Sequence, residues 1–382
     1  MDSDALSATD WSALVRPSLV GLEPYRPGPS LRELKRRYGL DEIAKLNWNE
    51  DLFGVPAGVR EAVATELENA WMYPEQAYSD LREAVGDWLG VSPELIVPAH
   101  GIQALIATVT HTFLREGDRV VVAAPTYGLY AQVSAAAGAE VVRVPCREFR
   151  LDLAAMAEAA KRSGARLVWI CDPNNPTGSL VEEDEWDAFL AALPAESVAV
   201  VDEAYAEYVE PDRRLRRERD VEAGRRVVVL RTFSKIFGLA GLRLGYAVVT
   251  RELAAFLDVV QEPFNVNRAA LAAGRACLAR PEAVAARRHE SVAAREHLHA
   301  RLADAGMCPL PSQANFVLVD TGADDVALAE RLVERGLLVR AGSEFGLGGF
   351  VRITIGPIPL MDRVVDELAR VRGELLPANA TG

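Results

Sequence analysis

Cysteine is scarce in this chain: Cys146, Cys171, Cys277 and Cys308 are the four in 382 residues, and no two have the close spacing of a metal-binding or redox pair. A disulfide scaffold and a metal site are therefore not expected. The compartment implied is a reducing one, and the four thiols read as buried apolar fillers. Positive charge is also in short supply, with a formal net charge of -13. A nucleic-acid partner is excluded on that ground, because phosphate binding needs a concentrated basic surface. The one basic cluster, Arg213-Arg214-Leu215-Arg216-Arg217, follows Pro211 and runs into Glu218 and Asp220, which reads as a solvated helix or loop. Long hydrophobic runs are missing. No segment approaches the length of a membrane span, and Met1 to Asp10 is polar and acidic without the apolar stretch of a signal sequence. These absences leave a cytoplasmic chain, with no membrane partner, as the expectation.

What is present has the balance of an ordinary globular protein, 50% hydrophobic and 25% charged. A chain of this length predicts two closely packed domains. From about residue 95 to 250, short β-branched runs alternate with Ala/Leu/Glu-rich stretches, the pattern of βαβ units and a largely parallel sheet. The predicted strands are Val120 to Val122, Val141 to Val144, Leu167 to Ile170, Val198 to Val201, Val227 to Leu230 and Gly245 to Val249. Helices are expected at Gln103 to Leu114, Leu129 to Ala137 and Leu153 to Arg162. After Pro263 the pattern predicts one long helical stretch, Arg268 to Ala305, then strands at Asn315 to Val319, Leu337 to Arg340 and Val351 to Ile355. Helices at Asp325 to Arg335 and Leu360 to Leu375 complete a smaller α/β unit. The N-terminal segment, with Pro17, Pro24, Pro27 and Pro29, predicts an extended arm plus a helix at Leu31 to Tyr38.

The segments that carry chemistry follow predicted strands. Thr232-Phe233-Ser234-Lys235 places a lysine straight after an apolar run, where desolvation can hold the amine neutral so that it attacks an aldehyde. Arg243 follows closely enough to reach a phosphate on a ligand bonded to that lysine, although a lone lysine at a strand end is usually a solvated terminus. Asp202, in Asp202-Glu203-Ala204-Tyr205, puts a carboxylate at the carboxyl edge of a parallel sheet, where it can keep a pyridine nitrogen protonated. Taken singly, Asp202 reads as a helix N-cap. Asp172-Pro173-Asn174-Asn175-Pro176-Thr177-Gly178 makes a stiff turn from which the Asn175 amide can reach a phenolic oxygen. His100-Gly101-Ile102-Gln103 opens a helix whose first N–H groups can take a phosphate, with His100 itself read as a packing residue. Pro125-Thr126-Tyr127-Gly128 offers Tyr127 for stacking on a planar ring. All of these lie where open α/β sheets bind ligands.

At these residues the chain resembles the fold-type I, class I/II pyridoxal-phosphate aminotransferases, and in wording it is most similar to the histidinol-phosphate aminotransferase branch. The likeness is carried by Pro-Thr-Tyr-Gly at 125, Pro-Asn-Asn-Pro-Thr-Gly at 173, Asp-Glu-Ala-Tyr at 202 and Thr-Phe-Ser-Lys at 232. Ala-Gly-Leu-Arg-Leu-Gly-Tyr at 240, Ala-Asn-Phe at 314 and Val-Arg-Ile-Thr-Ile-Gly at 351 extend it, and it covers nearly the whole chain from Pro24 onward. The resemblance implies a large domain with a mostly parallel seven-stranded sheet and a smaller α/β domain. It divides the chain into an arm and helix at 1–45 associated with the small domain and a dimer interface, a cofactor-binding domain at 46–262, and a small domain at 263–382. It implies pyridoxal 5'-phosphate as cofactor, an amino donor and a 2-oxo acid as substrates, and a homodimer.

By the same resemblance, Lys235 carries the cofactor as a Schiff base and shuttles the proton. Asp202 pairs with the ring nitrogen, Asn175 and Tyr205 hold the phenolic oxygen, and Tyr127 stacks. Ser234, Arg243 and the N–H groups of Ile102 and Gln103 bind the phosphate. Arg352 and Arg340, with Tyr25, bind the substrate, for which histidinol phosphate is expected. The alternatives are an aromatic or other amino-acid aminotransferase, or a decarboxylase or lyase on the same fold. A regulator that keeps an aminotransferase-like ligand domain would need a DNA-binding module, which the acidic arm does not offer. Two positions depart from the family pattern: Phe53 stands where many relatives have a tyrosine that contacts the phosphate across the dimer, and Gln103 replaces an acidic residue. Arg340 also has a plain reading, pairing with Glu344.

Overall fold

Strands that are apolar on both faces must be covered on both faces. In the computed structural model, which describes residues 10–24 and 28–376, a seven-stranded sheet is covered in this way by two apolar clusters. Its strands run in the order Ile96–Ala99, Gly245–Val248, Val227–Thr232, Val198–Asp202, Leu167–Cys171, Arg119–Ala124 and Glu140–Pro145. Alternate residues of one strand feed opposite cores, so that Val168 and Ile170 belong to one cluster and Leu167 and Trp169 to the other. The Ile96 strand was not among the expected ones. The Gly245 strand was expected within the parallel array but runs antiparallel to both of its neighbours. The reason is connectivity. Between Thr232 and Gly245 no crossover helix intervenes, only a loop with a short 3-10 turn at Ala240–Leu242, so the chain must return in the opposite direction.

The second layer system is a four-stranded sheet, Arg340–Ala341, Phe350–Thr354, Phe316–Asp320 and Cys308–Pro309, all antiparallel. Val317, Val319, Val351 and Ile353 enter a third core with the helices Pro281–Asp304, Asp325–Glu334 and Ile358–Leu375. The alternate residues Phe316, Arg352 and Thr354 face the large sheet instead. A two-residue parallel pairing of Ala44–Lys45 with Leu337–Leu338 ties the start of the chain to this lobe, and Leu46 is fully buried in its core. Val339 therefore separates two short strands that belong to different sheets, where one continuous strand was expected. The long helix expected from Arg268 to Ala305 is two helices, Arg268–Leu278 and Pro281–Asp304. Pro281 lacks the N–H needed to continue a helix and sits at the first position of a new one. Among the described residues no helix is long and apolar enough to cross a membrane.

Two side-chain environments differ from those expected of the sequence. Arg217 is not solvated: it is 2% exposed and reaches Asp172 at 2.6 Å and Glu203 at 2.8 Å. Arg231, also buried, holds the other Glu203 oxygen at 2.6 Å and lies 3.5 Å from both Glu207 and Glu218. The basic segment dips inward here because the sheet's back face buries these carboxylates, which could not remain charged without a guanidinium. Burial raises the proton affinity of Asp172 and Glu207, and Arg217 and Arg231 oppose that shift. The cysteines are not uniformly buried either. Cys171 and Cys277 are, Cys146 is half-buried, and Cys308 is exposed because it lies on the edge strand of the smaller sheet.

Replacing Arg217 with alanine strands Asp172 and Glu203 without their shared partner. Breaking a buried pair in this way costs about 3–5 kcal/mol, so the denaturation midpoint of Arg217→Ala should fall well below that of the parent protein. A midpoint within error of the parent would mean that the lattice carries no net stability.

Candidate active site

The register of the large sheet brings Ala99, Gly245 and Thr232 side by side, and Cys171 beside Asp202. The loops that leave these strand ends therefore meet at one edge, and Lys235, Asp202, Asn175, Tyr127 and the Ile102 helix arrive there together. Arg352 comes from the smaller sheet. Tyr25 lies outside the described residues.

One corner of the cleft is built for an anion. Gly101, at φ +81°, begins the helix Ile102–Phe113, and no side chain caps that helix, so its first N–H groups point outward. Arg243 donates to Ser234 Oγ at 3.3 Å and to Gln103 Oε1 at 3.3 Å. A Cβ at Gly101 would come within 2.9 Å of Arg243 Nη2, and one at Gly245 within 3.0 Å of the Ile102 nitrogen. Only glycine lets guanidinium and helix end approach so closely. Gln103 also donates from Nε2 to the Tyr127 hydroxyl at 3.0 Å. A carboxylate at 103 would accept from Arg243 but could not donate to Tyr127, which is the consequence of that departure from the family pattern. His100, read as a packing residue, is exposed: the chain turns sharply where Gly101 N–H returns to the Ala99 carbonyl.

A buried carboxylate backed by aromatic rings lies alongside. Asp202, 3% exposed, accepts from the Tyr130 hydroxyl at 2.7 Å and from the Ala204 N–H at 3.0 Å. Burial raises its pKa to about 6, while those two hydrogen bonds and the nearby Lys235 amine favour the anion. Tyr130 stacks on Trp169, with centroids 5.2 Å apart and planes 6° apart, and receives the edge of Tyr127 at 5.4 Å. Tyr130 was not among the expected site residues. Its only signal in the chain is its place three residues after Tyr127, in the first turn of the helix Leu129–Ala136.

Lys235 donates from Nζ to the carbonyls of Trp48 at 3.1 Å and Asn49 at 2.9 Å, with the ring of Tyr205 5.5 Å away. Burial, aided by the charge of Arg352, lowers its pKa to about 7. Asn49, a second residue missed as a site member, joins the two lobes. Held at φ +57°, it donates to the Tyr205 hydroxyl at 3.0 Å and exchanges bonds with Thr354. Its carbonyl also accepts from Asn315 Nδ2 at 3.1 Å. Asparagine tolerates this left-handed backbone better than most residues.

Arg352 donates to Asn175 Oδ1 at 2.5 Å and to the Asn47 carbonyl at 2.5 Å, with the rings of Phe316 and Phe345 at 5.4 and 5.1 Å. The Asn175 amide oxygen is thus engaged with Arg352, and its NH2 is the half suited to a phenolic oxygen. Arg340 pairs with Glu344 at 2.6 Å. Phe53 packs on the smaller lobe's core under the Arg287 guanidinium at 5.4 Å, away from the anion corner of its own chain. An anion cradle, a slot walled by aromatic rings with a buried carboxylate, and a lysine amine between them fit a phosphorylated aldehyde with an aromatic ring. Among the described residues no cluster of His, Cys, Asp and Glu could hold a metal ion.

Because the Lys235 pKa is lowered, the amine is protonated below about pH 7 and neutral above it. Formaldehyde and cyanoborohydride at limiting dose should therefore methylate Lys235 of the apoprotein at a rate that rises as pH passes about 7. Peptide mass spectrometry follows the Lys235 peptide across pH, and a rate that begins to rise only at about pH 10 would show that Lys235 is an ordinary amine.

The family model for aminotransferase class I and II matches residues 41–368. The chain is 37% identical to a histidinol-phosphate aminotransferase of Moorella thermoacetica, over 89% of this chain and 88% of that protein. It is also 37% identical to one of Geobacillus thermodenitrificans, over 94% and 98% respectively. Among solved structures, histidinol-phosphate aminotransferase from Sinorhizobium meliloti in complex with pyridoxal-5'-phosphate superposes with a TM-score of 0.87 at 30% identity, over 98% of this chain and 100% of that one. Joined to a lysine amine set between an anion cradle and a carboxylate-backed aromatic slot, these matches show that the chain belongs to the aminotransferase class I and II family and is a pyridoxal-phosphate-dependent transaminase.

Proposed function

We propose that this transaminase uses histidinol phosphate as amino donor and 2-oxoglutarate as acceptor. One observation carries the choice of donor: Arg340 and Arg352 are directly opposed in an antiparallel pair, so both project from the same face of the smaller sheet. Like charges in that position destabilise a sheet unless an anion joins them. A phosphate ester carries close to two negative charges at neutral pH and suits two guanidinium groups, each able to bind in the bidentate manner. The names of the relatives above agree with this reading. A second reading, an aromatic amino-acid donor, is favoured by the Arg340–Glu344 pair, which leaves Arg352 alone to hold a carboxylate.

In this proposal the cofactor's phosphate is bound by Ser234, Arg243 and the N–H groups of Ile102 and Gln103. Tyr127 lies on its ring, and Asn175 and Tyr205 hold the phenolic oxygen. The bound cofactor supplies an electron sink for the carbon that bears the substrate's amino group. Asp202 keeps negative charge against the ring nitrogen, and Tyr130 and Ala204 hold that carboxylate in place. Lys235 Nζ, which gives up its proton readily near pH 7, accepts the proton removed from the substrate carbon and can return it.

A homodimer is part of the same proposal. Trp71, Tyr73, Phe256 and Val259 are 81%, 79%, 64% and 83% exposed, and Tyr73 stacks on Phe264 at 4.9 Å, so the two segments form one apolar patch. A reducing, cytoplasmic location agrees with the free cysteines.

Borohydride treatment of the holoprotein should attach the cofactor to Lys235, and Lys235→Ala should abolish both attachment and transamination; attachment to another lysine sinks the assignment. Asp202→Asn should retain cofactor while losing several orders of magnitude in kcat, because charge at the developing anion's sink has gone. A near-normal kcat would remove that role. For the substrate, a panel of histidinol phosphate, phenylalanine, tyrosine and aliphatic amino acids with 2-oxoglutarate decides. Arg340→Ala should weaken histidinol-phosphate turnover by about one to two orders of magnitude, the effect of losing one charged hydrogen bond, and phenylalanine turnover far less. Equal impairment of both, or no histidinol-phosphate activity in the parent, rejects the donor proposed.

A further inference from the structure

We propose that Glu344 is a specificity-determining residue, a resident anion that occupies Arg340 until a dianionic substrate takes its place; this rests on the substrate reading above. Its carboxylate lies 2.6 Å from Arg340, whose side chain is 17% exposed, while the Glu344 side chain is 46% exposed. The arginine is thus held in the cleft wall and the glutamate is open to solvent. A rotation about its side-chain bonds is enough to release Arg340.

The backbone under Glu344 is fixed, so that only the side chain has to move. The 3-10 turn Gly342–Phe345 is closed by the Leu347 N–H to the Gly342 carbonyl at 2.9 Å and by the Gly346 N–H to the Ser343 carbonyl at 3.0 Å. Asp325, at the start of a neighbouring helix, accepts from the Ser343 N–H and hydroxyl at 2.7 and 2.9 Å and from the Gly349 N–H at 2.9 Å. Gly342 cannot be replaced without breaking the turn, because a Cβ there would lie 2.2 Å from the Leu347 carbonyl oxygen. The next residue, Phe345, sets its ring 5.1 Å from the Arg352 guanidinium. One rigid turn therefore presents a partner to each arginine: a detachable carboxylate to Arg340 and a fixed aromatic ring to Arg352.

Charge balance then gives the selectivity. With Glu344 in place the opposed arginines carry one net positive charge, matched by a single carboxylate. With Glu344 rotated into solvent they carry two, matched by a phosphate ester. A monoanionic donor such as phenylalanine need not displace the glutamate, whereas a dianion must compete with it. The glutamate therefore raises the concentration of phosphate-bearing substrate required without touching the reacting atoms.

The test uses holoenzyme of the parent, Glu344→Gln, Glu344→Asp and Arg340→Ala, with histidinol phosphate, phenylalanine and inorganic phosphate as a competitive inhibitor. A partly exposed ion pair is worth about 0.2–1 kcal/mol, so Glu344→Gln should lower KM for histidinol phosphate and Ki for inorganic phosphate by about two- to fivefold. Its kcat should stay at the parent value, its phenylalanine KM should change far less than that for histidinol phosphate, its thermal midpoint should fall by no more than the loss of one partly exposed ion pair allows, and Glu344→Asp should fall between parent and Glu344→Gln. If Arg340→Ala raises the histidinol-phosphate KM while Glu344→Gln leaves it unchanged or raises it, Glu344 is not a competitor and the inference is overturned alone. If Arg340→Ala leaves that KM unchanged, the substrate reading falls and the inference with it.

Discussion

A primary amine kept from water beside a guanidinium must give up its proton readily, and the arrangement of this molecule around Lys235 follows from that demand. The amine leaves the central strand Val227–Thr232, one of the most protected places in the chain, and is met by the Trp48 and Asn49 carbonyls and by Arg352. Those groups come from the N-terminal segment and the smaller lobe. The proton affinity of one lysine is thus set by residues more than a hundred positions away on either side, brought to it by the packing of the two lobes.

Charge is handled differently on the two sides of the large sheet's edge. Towards the cleft, Asp202 is buried with two hydrogen-bond donors and, among the described residues, no arginine paired with it. Behind it, the next residue, Glu203, is neutralised by Arg217 and Arg231. Strand alternation separates these neighbours by a half-turn of the backbone. The same Arg217 reaches Asp172, so the loops carrying Asn175 and Asp202 are tied to one guanidinium. Sharing that partner makes the spacing between the two loops a property of the core rather than of the loops.

The smaller lobe contributes through register. A slip of one residue between Arg340–Ala341 and Phe350–Thr354 would send Arg352 or Arg340 into the apolar core, where Val351 and Ile353 now sit. The hydrophobic cost of that slip holds both arginines towards the cleft, although their mutual repulsion opposes it.

The parallel sheet, the lysine, the buried aspartate at the strand end and the glycine-led anion corner were legible in the chain itself, because each depends on local patterning. Apolar runs of strand length, glycines at forced positions and polar residues at strand ends all act within a few residues. The reversed Gly245 strand, the break before Pro281, the inward turn of Arg217 and the membership of Tyr130 and Asn49 in the site were decided by tertiary structure. Each of these depends on what lies opposite in space: a return without a crossover helix, a buried carboxylate needing a cation, a hydroxyl facing Asp202, an asparagine bridging to Thr354. Sequence by itself determined which chemistry the chain can carry. Only the packing of two lobes decided which side chains meet, because contacts across hundreds of residues leave no period or spacing along the chain.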